Sequence, residues 1–171
     1  MKLNVETAEV FVPDGAPQRE ALARTTHVGI GAHPDDLEIL AWDGIAECFG
    51  RSDAWFSGVV VTDGGGSART GPYANYSDAQ MRAVRRAEQK KAAGIGQYAA
   101  VALLDYPSSA VKDGSNDGPV DDIAQVLTAA QPNVVYTHNP ADKHDTHVAV
   151  ALRTIEAVSY THLTLPTTPY V

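Results

Sequence analysis

One cysteine, Cys48, in 171 residues excludes an intrachain disulfide and fits a reducing compartment. No run is apolar and long enough to cross a bilayer. The opening stretch, MKLNVETAEVFVPDGAPQRE, lacks the uninterrupted apolar core of a secretory signal. Basic residues are scarce: 13 Lys and Arg stand against 21 Asp and Glu, a formal net charge of -8. That balance excludes a nucleic-acid surface built on a basic footprint. No internal repeat is visible. The expectation is a cytoplasmic protein with no membrane span and no nucleic-acid partner. The oligomeric state stays open.

What is present is enough for one domain with a real core. Hydrophobic residues make up 44% and charged residues 20%, as in soluble globular chains. Thr26 to Ala32 reads as a short apolar strand. From Asp36 to Phe49 apolar residues recur at helical spacing. Trp55 to Thr62 is rich in β-branched residues and reads as a buried strand. Asp63 to Ser77 is glycine-rich and polar, a long loop of the functional kind. Asp78 to Ile95 is a helix, AAVALL a third strand, and Asp105 to Gly118 a second loop. Val120 to Ala130 is a helix stopped before Pro132, NVVYTH a fourth strand, NPADKHD a loop, and a helix follows from Thr146. This alternation predicts an α/β fold, a Rossmann-like mainly parallel sheet with helices on both faces. Residues 1–24 read as an N-terminal arm and 25–157 as the single domain.

From Val158 the helical period fails. VSYTHLTLPT, Val158 to Thr167, resembles the translation of a transposase mosaic-end sequencing adapter. Residues 158–171 are therefore expected to be a non-native tail, and the domain to be cut short at its C-terminal side.

In parallel sheets ligands bind beyond the carboxyl ends of the strands. Those ends here carry Ala32-His33, Thr62-Asp63, Asp105 and His138-Asn139. His33 and Asp36 have the i, i+3 spacing that lets two side chains converge on a starting helical turn, and imidazole with carboxylate suits a divalent metal. Asp35, between them, points elsewhere and is free to act as a base. A third ligand must come from another strand tip, and DKHDTH offers His144 and His147, again at i, i+3. The plainer reading is helix capping: Pro34, Asp35 and Asp36 all suit a first turn, and an isolated H-x-x-H marks an exposed helix start as often as a metal. Capping does not call for histidine at both places, so the two stretches together favour a metal.

AHPDD after the first strand and the D-x-H-x-x-H loop after the fourth resemble the LmbE/PIG-L family of zinc-dependent N-acetylglucosaminyl deacetylases, over about Thr26 to Ala157. The resemblance implies Zn²⁺, or another divalent metal, held by His33, Asp36 and His147. It implies Asp35 as general base and His144 as the group serving the oxyanion or the leaving amine. It implies hydrolysis of an N-acetyl group on a small-molecule glucosamine conjugate by metal-activated water. Where the family often has H-P-D-H, this chain has His144-Asp145-Thr146-His147, so Asp142, Asp145 or Thr146 must orient a metal-bound histidine. Where it often has Pro-Asp, this chain has Pro107-Ser108, which bears on sugar binding. RRAE sets Arg85 three residues before Glu88, like a family pattern whose arginine faces the substrate; a solvated helix face is the plainer reading.

Two rival readings remain at this stage. One is a non-catalytic nucleotide- or phosphate-binding module built on Gly64 to Gly66, although the loop lacks the G-K-[ST] ending of a P-loop. The other is an inactive fragment of a deacetylase.

Overall fold

Apolar strands buried on both faces need helices on both sides, and the strand–helix alternation of this chain supplies them. The computed structural model describes residues 1–162. In chain order these form β1 (Glu9–Phe11), α1 (Gln18–Ala23), β2 (His27–Gly31), α2 (Asp36–Leu40), α3 (Trp42–Cys48), β3 (Phe56–Thr62), α4 (Asp78–Ile95), β4 (Ala100–Tyr106), α5 (Ser108–Lys112), α6 (Gly118–Ala130), β5 (Val134–Thr137) and α7 (Asp145–Thr161). The sheet order is β1-β4-β3-β2-β5. β2 to β5 run parallel, and only the short β1 is antiparallel, against β4.

Every residue of β2 and β3 is buried. One face of the sheet packs on α1, α6 and α7 through residues such as Leu22, Ile123, Leu127 and Val150. The other packs on α2, α3 and α4 through Leu37, Ile45, Ala93 and Tyr98. The approach of α2 is close enough to demand glycine beneath it: a Cβ on Gly58 would lie 2.5 Å from Leu37 Cδ1. No helix among the described residues is long and apolar enough to cross a membrane.

The connectivity places the site. From β2 the chain builds through β3 to β4 on one side, then returns to lay β5 on the other side of β2. Strand order therefore reverses between β2 and β5, and the crevice beyond their carboxyl ends is where such sheets bind ligands. His33 follows β2 and His138 follows β5.

Several details differ from the sequence reading. The Asp36 to Phe49 helix is two helices, broken at Ala41 (φ -119°, ψ 21°); beyond the break Gly44 lies against the ring of Tyr136. The loop from Asp105 contains α5, whose five residues are too few to display a period. The N-terminal arm contributes β1 to the sheet and α1 to the core, and Asn4 donates its backbone N–H to the buried Asp122 carboxylate at 3.0 Å. Burial raises the Asp122 pKa against the opposing hydrogen bonds from Tyr106 and Asn4. Finally, α7 continues to Thr161, and Val158 packs on the core, so helical structure passes the expected boundary of the tail. The rest of that tail, 163–171, lies outside the described residues.

The packing under α2 yields a stability test. Gly58→Ala should destabilise the fold by about 1–3 kcal/mol through overpacking. Gly94→Ala, in α4 with nothing within 4 Å of its added Cβ, should be neutral or stabilise it by up to about 1 kcal/mol. Urea unfolding of the two variants reads both effects.

Candidate metal centre

The strand-to-helix turn after β2 folds around one carboxylate. Asp36 Oδ2 accepts the backbone N–H of His33 at 2.6 Å and lies 3.2 Å from His33 Nδ1. From the other side of the crevice come His138 Nε2 at 3.3 Å and His147 Nε2 at 3.5 Å. Burial pushes the Asp36 carboxyl upward, and the His33 ring and backbone N–H oppose it, holding the group below the usual carboxylate range. Asp36 does stand in the first turn of α2, but neither α2 nor α7 has a side-chain cap hydrogen bond.

His33, Asp36 and His147 present three donor atoms to one another. Nδ1 of His33 and Nε2 of His147 are 3.2 Å apart, and each faces Asp36 Oδ2, at 3.2 and 3.5 Å. Tetrahedral ligands about 2.0–2.1 Å from Zn²⁺ lie roughly 3.3–3.4 Å from one another, so the triangle has the right size. Its chemistry fits as well. His147 Nδ1 meets Asp142 Oδ2 at 3.1 Å, which fixes the ring hydrogen there and turns the Nε2 lone pair inward. With the rings neutral, at most one ring hydrogen, on His33 Nδ1, then lies among the three atoms, and a divalent cation relieves that crowding of lone pairs. Two overlapping groups of possible ligands, His33-His144-His147 and Asp36-His138-His147, each hold their donor atoms within 4.8 Å.

The remaining candidates line or flank a cavity of about 660 Å³ beside the triangle, among whose walls are His33, Asp35, Arg85, Lys112 and His144. Asp35 adopts a left-handed backbone (φ 92°), a conformation costly for a non-glycine residue. Its N–H donates to Gln89 Oε1 at 3.0 Å, and its carboxylate takes Arg85 Nη2 at 2.5 Å. Arg85 also donates to the Pro34 carbonyl and to Glu88 at 2.6 Å. It is a clamp on the cavity wall, not part of a solvated helix face. Burial would lower its pKa; its bonds to Asp35 and Glu88 raise it.

His144 is half exposed, edge-on to His33 with ring centres 4.9 Å apart and stacked on His147 at 4.5 Å. Of the three residues expected to orient a histidine, Asp142 does so. Asp145 turns to Lys112 Nζ at 2.9 Å and stays 3.7 Å from His144 Nδ1, while the buried Thr146 hydroxyl donates only to Asp145, at 3.4 Å. His138 received no role from the sequence, although it stood at a strand end. In the Gly64 to Gly66 loop two amides are already engaged, Gly65 N–H by Asp63 and Ser67 N–H by Gly64, and the next α-helix begins only at Asp78.

The fold and the cluster together define an α/β protein with a candidate divalent-metal centre at its topological switch point. A family model described as PIG-L, GlcNAc-PI de-N-acetylase, matches residues 28–158, and the chain belongs to that family. No curated protein gives a significant match. Among solved structures, the N,N'-diacetylchitobiose deacetylase of Pyrococcus horikoshii, in complex with an inhibitor, is similar at 22% identity and a TM-score of 0.67, over 82% of this chain and 51% of that one. A conserved protein of Thermus thermophilus, TT1542, is similar at 22% identity and a TM-score of 0.64, over 84% and 58%. GalB, a 4-carboxy-2-hydroxymuconate hydratase from Pseudomonas putida, is similar at 21% and 0.58, over 78% and 55%. The chain thus spans between 51% and 58% of the length of these proteins.

The Asp142 contact predicts a selective loss. Asp142→Asn should weaken Zn²⁺ binding about 10- to 100-fold, whereas Asp145→Asn should change it less than about threefold. Competition against a chromophoric chelator measures both.

Proposed function

We propose that the chain carries the catalytic centre of a zinc-dependent deacetylase that hydrolyses the acetamide of an N-acetylated amino-sugar conjugate. The observation that carries this reading is the triangle of His33, Asp36 and His147 opening beside a cavity that also presents Asp35 and His144. These three residues would hold the metal, which when bound supplies Lewis-acid polarisation of the amide carbonyl and an acidified water.

The chain's own groups then divide the proton work. Asp35 takes the proton from the attacking water. Its Oδ2 is held by Arg85, and the other oxygen, with no hydrogen bond to the described residues, is the one available. The new C–O bond forms at the carbonyl carbon, and the C–N bond breaks as the amine nitrogen receives a proton. Protonated His144, at the exposed lip of the cluster, hydrogen-bonds the oxyanion and then transfers one proton to that nitrogen. The products are acetate and a free amine. The Asp35 side chain is largely exposed, and its bond to Arg85 holds one carboxylate oxygen before substrate arrives.

The Pyrococcus horikoshii protein is a deacetylase, and GalB is a hydratase. A shared fold does not choose between them. The family model and the separate placement of Asp35 and His144 around one metal triangle support amide hydrolysis.

Asp35→Asn should retain one equivalent of metal and lose about 10²- to 10⁴-fold in turnover, whereas His33→Ala and Asp36→Ala should lose the metal itself. Metal analysis with a panel of N-acetylglucosamine conjugates, scored for released amine, tests this. Equal metal loss in all three variants contradicts the assigned roles, and metal-dependent hydration of an unsaturated acid without amine release favours the hydratase chemistry.

A further inference from the structure

His138 is a buried imidazole at this centre that the proposed chemistry leaves without a task. Its Nε2 lies 2.8 Å from the backbone N of Ala32 and 3.3 Å from Asp36 Oδ2. A ring nitrogen offers one in-plane direction, occupied either by a hydrogen or by a lone pair. The hydrogen on the Ala32 amide is fixed, so the Nε2 lone pair accepts it and the ring hydrogen of His138 belongs on Nδ1. The proximity of Asp36 is then a contact, not a hydrogen bond.

Two consequences follow. With its lone pair engaged, Nε2 is closed to a metal, so the donor group containing His138 is unavailable and His33, Asp36 and His147 remain. The Ala32 peptide is also anchored from both neighbouring strands. Its N–H goes to His138 beyond β5, and its carbonyl accepts the N–H and the hydroxyl of Thr62 at the end of β3, both at 2.8 Å. Ala32 immediately precedes His33, so this double anchor sets where the turn carrying His33 and Asp36 begins. The His138 ring also lies flat on His147, with centres 4.0 Å apart and planes 11° from parallel. One side chain thus braces ligands from both sides of the crevice.

We propose that His138 is a positioning residue that preorganises the three-ligand metal centre, through the Ala32 N–H and the face of His147, without itself being a ligand. The inference rests on the metal reading above.

Cobalt(II) titration of the full chain, followed by its visible absorption, tests it with two substitutions. His138→Gln keeps an acceptor for Ala32 but loses the ring on His147; its bands should hold their positions and its affinity should fall less than about tenfold. His138→Phe keeps a flat ring but removes the acceptor; its bands should hold their positions while affinity falls about 10- to 100-fold. Bands altered in both variants as much as in His33→Ala would make His138 a ligand and overturn the proposal, as would a Phe variant that binds like wild type. If the Phe variant fails to fold, the wild type decides. Long-range nitrogen–proton spectra of the cadmium-loaded protein should show metal coupling at His33 and His147 and none at His138; coupling at His138 overturns the assignment. A wild type that binds neither ion overturns the metal reading and the positioning role with it. The metal-free spectrum, which reads the His138 tautomer directly, distinguishes that failure from a wrong account of the Ala32 bond.

Discussion

A buried carboxylate surrounded by imidazole nitrogens is costly unless a positive charge meets it, and the site is organised around one such group. Asp36 Oδ2 has nitrogen atoms of His33, His138 and His147 at 3.2, 3.3 and 3.5 Å. Burying a carboxylate costs on the order of several kcal/mol when its neighbours cannot donate. Asp142 and Ala32 together deny it most of those donors, because they fix the hydrogens of His147 and His138 away from the centre. What is left is a small polar triangle suited to a divalent cation.

The sheet topology makes that triangle possible. Two of its candidate ligands come from the turn after β2 and the third from the start of α7, beyond β5. These segments are distant in sequence and meet only because strand order reverses between β2 and β5. Around the triangle, α4 supplies Arg85 and Gln89, which hold the carboxylate and the backbone N–H of Asp35. Gln89 in turn donates to Glu38, which also accepts from Tyr98. The strained turn at Asp35 is thus supported by a polar chain reaching into the core, and rigidity around the proposed base favours a preorganised site over one assembled by the substrate.

Local features were the legible ones. The i, i+3 spacings of His33 with Asp36 and of His144 with His147 are visible in any window of the sequence, and so is the helical period of α4, whose Ser77–Gln80 capping box fixes its start. The parallel sheet was legible because strands buried on both faces are apolar throughout. What escaped depends on partners far along the chain. Arg85 resembles a solvated helix residue until Asp35, 50 positions away, is brought against it. His138 has no signature of its own, because its partner Ala32 is 106 positions away. The choice of Asp142 over Asp145 turns on which carboxylate Lys112 captures. β1 and α5 are too short to carry a period, and the break at Ala41 leaves the apolar spacing almost unchanged.

The central claim is that the tips of β2 and β5 jointly hold one divalent metal. Anomalous X-ray scattering from crystals grown with Zn²⁺ tests it most directly. The account predicts a single strong peak about 2.0–2.2 Å from His33 Nδ1, Asp36 Oδ2 and His147 Nε2, with the His138 ring outside bonding distance. A peak ligated by His138, or crystals with Zn²⁺ bound elsewhere and none at this triangle, would contradict it.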